Sequence, residues 1–385
     1  MKIKVSDRLS STSEYYFSLK MNEINKKQAA GIDVINLAIG NPNMRPADSV
    51  IEKLKETVSK PDVHGYQHHR GQLKLREAFA KWYNQNYGVE LNPENEVLSL
   101  IGSKEGIFHV SFALLNPGDK VLIPDPGYPM YRFVAAMMQA EPVFYDLKEE
   151  NSWLPDLEKL ESKIDDKVKM IWVNYPNMPS GESATIEFFT KLVEIAKKHD
   201  VLVINDNPYS FILNKTEPLS ILSVPGAKEV AIELNTLSKS HGMAGWRVGM
   251  AVGNPEVLDL MLKVKSNLDS GIFLPVQEAA IEALTIGQGW YEDLTAIYLE
   301  RQEAAKKFAQ VLGCTYSENA AGMYLWAKLP ENVTNSREFA DSLFEDKHVF
   351  VAPGTLYGSN GEGYIRISLC QPVEKIHEAI ERVQE

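Results

Sequence analysis

Residues 169–206 read KMIWVNYPNMPSGESATIEFFTKLVEIAKKHDVLVIND. The opening, 169–175, is a short, mostly apolar run with β-branched Ile171 and Val173. Residues 186–199 have the pattern of a helix, and 200–205 is a second run carrying Val201, Val203 and Ile204. A strand, a helix and a strand in so short a span favour an α/β unit with parallel strands. The same alternation extends outward. Strands are expected at 97–101, 119–124, 141–146, 229–234 and 247–252, with helices at 105–115 and 128–138. Amphipathic helices are expected at 51–59 and 72–87, where Leu73, Leu75, Phe79, Trp82 and Tyr83 fall near helical spacing. After 283–312, a long helical region ending at Gly313, come strands at 322–328 and 364–370 and a helix at 373–384. The segment before about residue 45 carries no core of its own and is expected to pack on that later part. The reading is therefore an α/β fold. A large domain, 46–282, holds a mostly parallel sheet flanked by helices, and a smaller discontinuous α+β domain is built from 1–45 and 283–385. Ligand sites in such sheets gather at the carboxyl ends of the strands.

Composition narrows the partners. Of 385 residues 44% are hydrophobic and 24% charged, as in globular proteins, and 40 basic against 52 acidic residues give a net charge of −12. That balance argues against nucleic-acid binding, which needs a basic face, and gives no attraction to anionic membranes. Two cysteines, Cys314 and Cys370, make a disulfide framework unlikely and fit a reducing, cytoplasmic setting. The first twenty residues lack a continuous apolar core, so no signal peptide is expected, and no run approaches the ~20 apolar residues of a membrane span. There is no internal repeat.

The stretch richest in chemistry is 233–249, ELNTLSKSHGMAGWRVG. Lys239 follows an expected strand, is flanked by Ser238 and Ser240, and is followed eight residues later by Arg247. A lone lysine is most often a solvated surface charge. A lysine used as a nucleophile must be partly desolvated, so that its amine is available near neutral pH. An anionic cofactor would need a guanidinium fork and hydroxyl donors beside it, which Arg247, Thr236 and Ser238 offer. Upstream, 102–106 reads GSKEG between a strand and a helix, and backbone N–H groups at a helix start suit phosphate. By itself this pattern is weak and lacks the Walker ending. Asp206, in Asn205-Asp206-Asn207-Pro208-Tyr209, read alone is more often a turn residue than a catalytic one.

Taken together, Ser238-Lys239-Ser240 and Met243-Ala244-Gly245-Trp246-Arg247-Val248-Gly249 resemble the lysine signature of class I/II aminotransferases. These are pyridoxal 5′-phosphate enzymes of the aspartate aminotransferase fold. The resemblance runs from about Asn36 to Arg366 with its landmarks in family order. It implies that Lys239 is the Schiff-base lysine and proton shuttle, that Thr236 and Arg247 hold the phosphate, and that Ser103 and Lys104 add amides to it. It further implies Asp206 as partner of the pyridine nitrogen, where a carboxylate keeps that nitrogen protonated and the ring an electron sink. Tyr209 resembles the donor to the phenolic oxygen, and Tyr128 the aromatic stacked on the ring. Gly40 resembles the turn closing over the substrate, and Arg366 the clamp for its α-carboxylate, a task suited to a planar fork. Tyr66 resembles the tyrosine reaching the neighbouring subunit's phosphate, which implies a homodimer with shared sites.

One departure stands out. Where the family reads Asn-Pro-Thr-Gly, this chain reads Met178-Pro179-Ser180-Gly181 after Asn177. Methionine has no N–H donor. Either Asn177 or Asn174 substitutes in binding cofactor and substrate, or the contact is lost. His64, His68 and His69 lie in a glycine-bounded loop without an acidic residue between them, and no metal site is expected. The function implied is amino transfer between an L-amino acid and a 2-oxo acid by a ping-pong scheme. A carbon–sulfur lyase on the same fold is the alternative, since fold does not fix reaction. A non-catalytic cofactor-binding regulator is remoter, because binding alone needs neither an electron sink nor a substrate clamp. The substrate stays open. Residues 265–271 are similar to the aspartate and diaminopimelate branch, whereas Tyr128, Tyr131 and Phe133 suit an aromatic or methionine donor.

Overall fold

The computed structural model describes residues 3–10, 14 and 16–385. The reading of the N-terminus for a leader therefore falls partly on residues outside those described. The strands run in order β1 (Ile35–Asn36), β2 (Val97–Leu100), β3 (Lys120–Asp125), β4 (Glu141–Asp146), β5 (Val168–Val173), β6 (Leu202–Asp206), β7 (Ala231–Thr236) and β8 (Gly249–Gly253). They continue with β9 (Thr315–Tyr316), β10 (Tyr324–Lys328), β11 (Val349–Phe350), β12 (Ala352–Pro353) and β13 (Tyr364–Ser368). Seven of them form one sheet, ordered β2-β8-β7-β6-β5-β3-β4. Neighbours from β4 across to β7 pair parallel, and β8 alone runs against the rest. The fold is thus α/β with a large, mostly parallel sheet, as the alternation of the sequence implies.

Both faces of the sheet's inner strands are covered, which is why those strands are largely apolar, whereas the edge strand β4 is partly exposed. Alternate residues of each strand enter opposite cores. Leu98, Leu100, Met170, Trp172, Ile204, Ile232 and Leu234 pack with Ile107 and Val110 of the helix Ser103–Leu114, with Val134 of Pro129–Met137, and with Leu258 and Met261 of Pro255–Lys265. Val97, Ile171, Val173, Val203, Ala231 and Val252 face the other way, toward Phe79 and Tyr83 of Leu73–Tyr87 and Phe189 and Leu192 of Ile186–His199. The helix Ile186–His199 shows how the sequence sets this up. Thr185 caps its start by accepting from Phe188 N (3.1 Å), and Phe188, Phe189, Leu192, Val193 and Ala196 are buried at helical spacing. Asp200 ends it in the left-handed region, φ 53°. Each such buried Phe or Leu side chain contributes about 1.5–3 kcal/mol.

A second sheet, β12-β13-β10-β9, is antiparallel. Its neighbourhood draws on both ends of the chain, because β1 pairs parallel with β11 (Ile35 opposite Val349). Ser368 N at the end of β13 donates to Leu37 O (2.7 Å). The two sheets are also tied at Asp125, the last residue of β3, whose carboxylate accepts from Ser359 N, Ser359 Oγ and Asn360 N at 2.6–3.0 Å. Among the described residues no helix is long and apolar enough to cross a membrane, and no group of three or more His, Cys, Asp or Glu could hold a metal ion.

Candidate active site

The parallel strands end on one edge. There β5 leads into Asn174, β6 ends at Asp206, β7 ends at Thr236, and β2 is followed by Ser103. The antiparallel β8 starts at this edge, since Gly249 pairs with Thr236 on one side and Leu100 on the other. Arg247 is thereby delivered beside Ser103 and Thr236. A cavity of about 360 Å³ opens here, lined by Gly40, Ser103, Lys104, Tyr128, Asn174, Asp206, Tyr209, Thr236, Lys239, Arg247 and Arg366. Every site residue that the family resemblance implies is in this wall except Asn177 and Tyr66; Tyr131 and Phe133, named for an aromatic donor, and the histidines His64, His68 and His69 are not in it.

Asn177 and Tyr66 behave differently. Asn177 is buried, but its side chain is engaged in its own turn: Nδ2 donates to Asn174 O (3.3 Å), and Oδ1 accepts from Ser180 N (3.2 Å) and Ser180 Oγ (2.7 Å). It therefore does not line the cavity. Asn174 does, with Nδ2 donating to Asp206 O and Oδ1 accepting from Met178 N (2.8 Å). Tyr66 is 93% exposed and lies outside the cavity of its own chain.

The grip at one end of the cavity is built by local sequence. Thr236 caps the single helical turn Leu237–Ser240, accepting from Ser238 N (3.1 Å) and donating from Oγ1 to Val248 O (3.0 Å). Arg247, at φ 59°, turns its guanidinium to Ile101 O (3.1 Å), Ala244 O (2.8 Å) and Ser238 Oγ (3.3 Å). It lies directly over Gly102, φ 92°, where any added Cβ would collide with the guanidinium. Ser103, the first residue of its helix, faces the same space. Burial, with Arg247 beside it, pulls the Lys104 ammonium down.

At the centre, Lys239 Nζ donates to Gly40 O (2.9 Å). Burial, together with Arg366 and Arg247, brings its ammonium down to about 8. Asp206 faces it from β6. One carboxylate oxygen accepts from Tyr131 OH (2.9 Å), and the other, Oδ1, is buried with no hydrogen-bond partner. Burial pushes this carboxyl up to about 7, against the pull of Tyr131. Tyr131 is held flat against Trp172, with ring centres 4.6 Å apart.

The other end belongs to Arg366 on β13. Its Nη2 donates to Ala38 O (2.7 Å), Nη1 lies 3.2 Å from Met178 Sδ, and its guanidinium carbon sits 3.8 Å from the Tyr324 ring centre and 4.8 Å from that of Tyr357. Asn36 Oδ1 accepts from Ala38 N and Ile39 N (3.1 Å each), and Ser368 Oγ donates to Ile39 O (3.0 Å). This turn carries Gly40 over the cavity so close to the Tyr324 hydroxyl that only glycine fits. Phe17, Tyr324 and Tyr357 complete the wall and were not singled out from the sequence. Tyr324 had a signal: it alternates with Trp326, the residue opposite Arg366, so it shares that face. Phe17 had none.

The arrangement is an anion grip on a strand-edge helix start, a desolvated amine, a buried carboxyl lacking a donor, and a second guanidinium across the cavity. Comparison with known proteins now identifies the class. The family described as "Aminotransferase class I and II" matches residues 32–383, and this chain belongs to it. It is 42% identical over 380 residues to an LL-diaminopimelate aminotransferase of Halothermothrix orenii, covering 98% of this chain and 97% of that one. It is 43% identical to the LL-diaminopimelate aminotransferase of Aquifex aeolicus, covering 98% of each. Among solved structures, apo-BacF from Bacillus subtilis superposes with a TM-score of 0.93 at 36% identity, covering 100% of this chain and 98% of that one. The protein is an aminotransferase that moves an amino group between an L-amino acid and a 2-oxo acid with pyridoxal 5′-phosphate. The cavity fits that cofactor. The donorless Oδ1 of Asp206 would suit a ring nitrogen that carries a proton, the desolvated Lys239 amine a carbonyl, and the cradle over Gly102 a phosphate.

Proposed function

We propose that this aminotransferase takes LL-diaminopimelate, or an L-amino acid like it in carrying a charged far end, as amino donor. The observation carrying this reading is the full-length relationship, above 40% identity, to enzymes named for that substrate. In support, Lys104 is a further cation in the cavity wall beyond Arg247 and Arg366, the groups assigned to the two anions that every donor brings together with the cofactor. A second reading, an aromatic or methionine donor, is favoured by Phe17, Tyr128, Tyr324, Tyr357 and Met178 in the same wall. A panel of the twenty amino acids plus LL-diaminopimelate, each with 2-oxoglutarate, decides. LL-diaminopimelate should give the highest kcat/KM, and a methionine or aromatic donor exceeding it would overturn the first reading.

The roles proposed for the residues follow from their chemistry. Thr236, Arg247 and the backbone at Ser103 and Lys104 would hold the phosphate, Tyr128 would face the ring, and Tyr209 would donate to its phenolic oxygen. When bound, the cofactor supplies a sink for the electron pair left as the substrate Cα–H bond breaks. Asp206 would hold the proton on the ring nitrogen through Oδ1. Arg366 binds the α-carboxylate with its fork, pre-oriented by Ala38 O and the aromatic faces of Tyr324 and Tyr357. That clamp presents the Cα–H bond to Lys239 Nζ, which takes the proton. Gly40 and Asn174 exclude water from above and from the side. Asn177 has no role at the cofactor in this reading, because its amide is occupied in the turn.

The chain works as a homodimer in the cytoplasm, each subunit divided into 46–282 and 1–45 with 283–385. Tyr66 supports the dimer: an almost fully exposed tyrosine on a loop is poised for another chain. If it reaches the partner's phosphate, Tyr66→Phe loses one hydrogen bond to a charged group, about 1.5–3 kcal/mol of cofactor retention. Mixed dimers of Tyr66→Phe and Lys239→Ala subunits should regain activity, since both lesions fall in one site and the other is intact. No recovery after verified subunit exchange would mean that the sites are not shared.

A further inference from the structure

Lys265, at the end of the helix Pro255–Lys265, is among the largest fully buried side chains, and nothing in the reaction uses it. Its ammonium donates to Glu105 Oε1 (3.0 Å) and to Asp269. A buried lysine is tolerated only when its charge is matched, and here two carboxylates from different segments converge on it.

Each carboxylate leads to a different part of the phosphate grip. Glu105 Oε2 accepts from Ile101 N (2.6 Å), and the carbonyl of the same residue, Ile101, accepts from Arg247 Nη2 (3.1 Å). Glu105 Oε1 also meets His109 Nε2 (2.8 Å) one turn along the helix that Ser103 starts. On the other arm, Asp269 accepts from Gly271 N (2.9 Å), and Ser270 O accepts from Gln67 N (3.1 Å), the residue after Tyr66. We propose that Lys265 is a positioning residue that locks the Ile101–Glu105 turn, with Arg247, to the loop bearing Tyr66. Its buried ammonium fixes where the subunit's own phosphate grip lies relative to the tyrosine it offers the partner. This rests on the reading of the cavity as a pyridoxal 5′-phosphate site and of Tyr66 as shared between subunits.

The test compares equilibrium binding of pyridoxal 5′-phosphate and of pyridoxal to the cofactor-free dimer, alongside its melting temperature. Lys265→Met should weaken the phosphorylated form about ten- to hundredfold, the effect of losing well-placed charge-assisted bonds, and leave pyridoxal nearly unchanged. Asp269→Asn, at a partly exposed position, keeps the Lys265–Glu105 pair. It should give a smaller loss that does not add to that of Tyr66→Phe, whereas the loss from Glu105→Gln should add. These two variants carry the test where Lys265→Met does not fold. Parallel weakening of both ligands, or an unchanged ratio in folded Lys265→Met, would show a merely structural lysine and overturn the proposal. Wild-type protein that bound pyridoxal as tightly as its phosphate would overturn the site reading first, and this proposal with it.

Discussion

Lys239→Met is expected to abolish amino transfer, by roughly 10⁴-fold or more, because proton transfer by a positioned base is worth about 10²–10⁴ and the covalent attachment of the cofactor would be lost as well. Borohydride treatment of the wild-type protein should fix a pyridoxyl group on the peptide containing Lys239, and the variant should show none; labelling at another lysine would refute the assignment. The same substitution should stabilise the cofactor-free protein. Burial holds the Lys239 ammonium at about 8, below its usual 10.5. Below pH 8 both folded and unfolded chains carry the proton, and the folded state bears the whole cost of a desolvated charge. From pH 8 to 10.5 the folded chain releases the proton first, so the unfolded chain binds more and wild-type stability rises with pH. The advantage of methionine is therefore largest at neutral pH, at most roughly 3 kcal/mol, and fades toward pH 10.5. Urea unfolding of both proteins at pH 7 and pH 10 measures it.

The second large effect is expected at Asp206. Asparagine keeps the shape but not the charge that holds a proton on a ring nitrogen. Removing one member of a buried pair costs about 3–5 kcal/mol, which is on the order of 10²–10⁴ in rate. The cofactor-free protein should respond in the opposite sense. Burial pushes the carboxyl up to about 7, so between its usual range and pH 7 the folded chain binds more protons than the unfolded chain and stability falls as pH rises. Asp206→Asn removes that loss and should melt higher without cofactor above pH 7, while gaining less from added cofactor. An Asp206→Asn enzyme with wild-type kcat would show that the carboxylate does not serve the ring.

The large sheet was legible because largely apolar strands alternate with helices from β2 to β6, and burial of the inner strands on both faces imposes that pattern over many residues. The pairs β1–β11 and β12–β13 were not. β1, β11 and β12 are two residues long, too short for any period to show, and are formed by partners more than three hundred residues away in the case of β1. The helices Pro255–Lys265 and Ser336–Asp346 did carry signals, Asn254 and Asn335 as N-caps, that periodicity alone passed over. Around the cavity, the residues on motifs next to strand ends could be read, because strand ends are where motifs act. Phe17 and Tyr357 reach the site only through packing of distant segments. Which asparagine faces the cavity near Met178 depends on a turn: Asn177 bonds to Ser180, three residues on, and that preference left Asn174 facing inward.

The pairing of β1 with β11 sets an order on synthesis. The turn that carries Gly40 is held by Phe350 O, which accepts from Leu37 N, and by Ser368. On the ribosome the large sheet can close once residues up to Gly253 are out, yet its cavity has no roof until some 115 residues more, through Ser368, have followed. At about 5–20 residues per second that interval is on the order of ten seconds. Gly40 O, which accepts from Lys239 Nζ, lies on that turn, so this contact of the nucleophile waits on the last strand to be made.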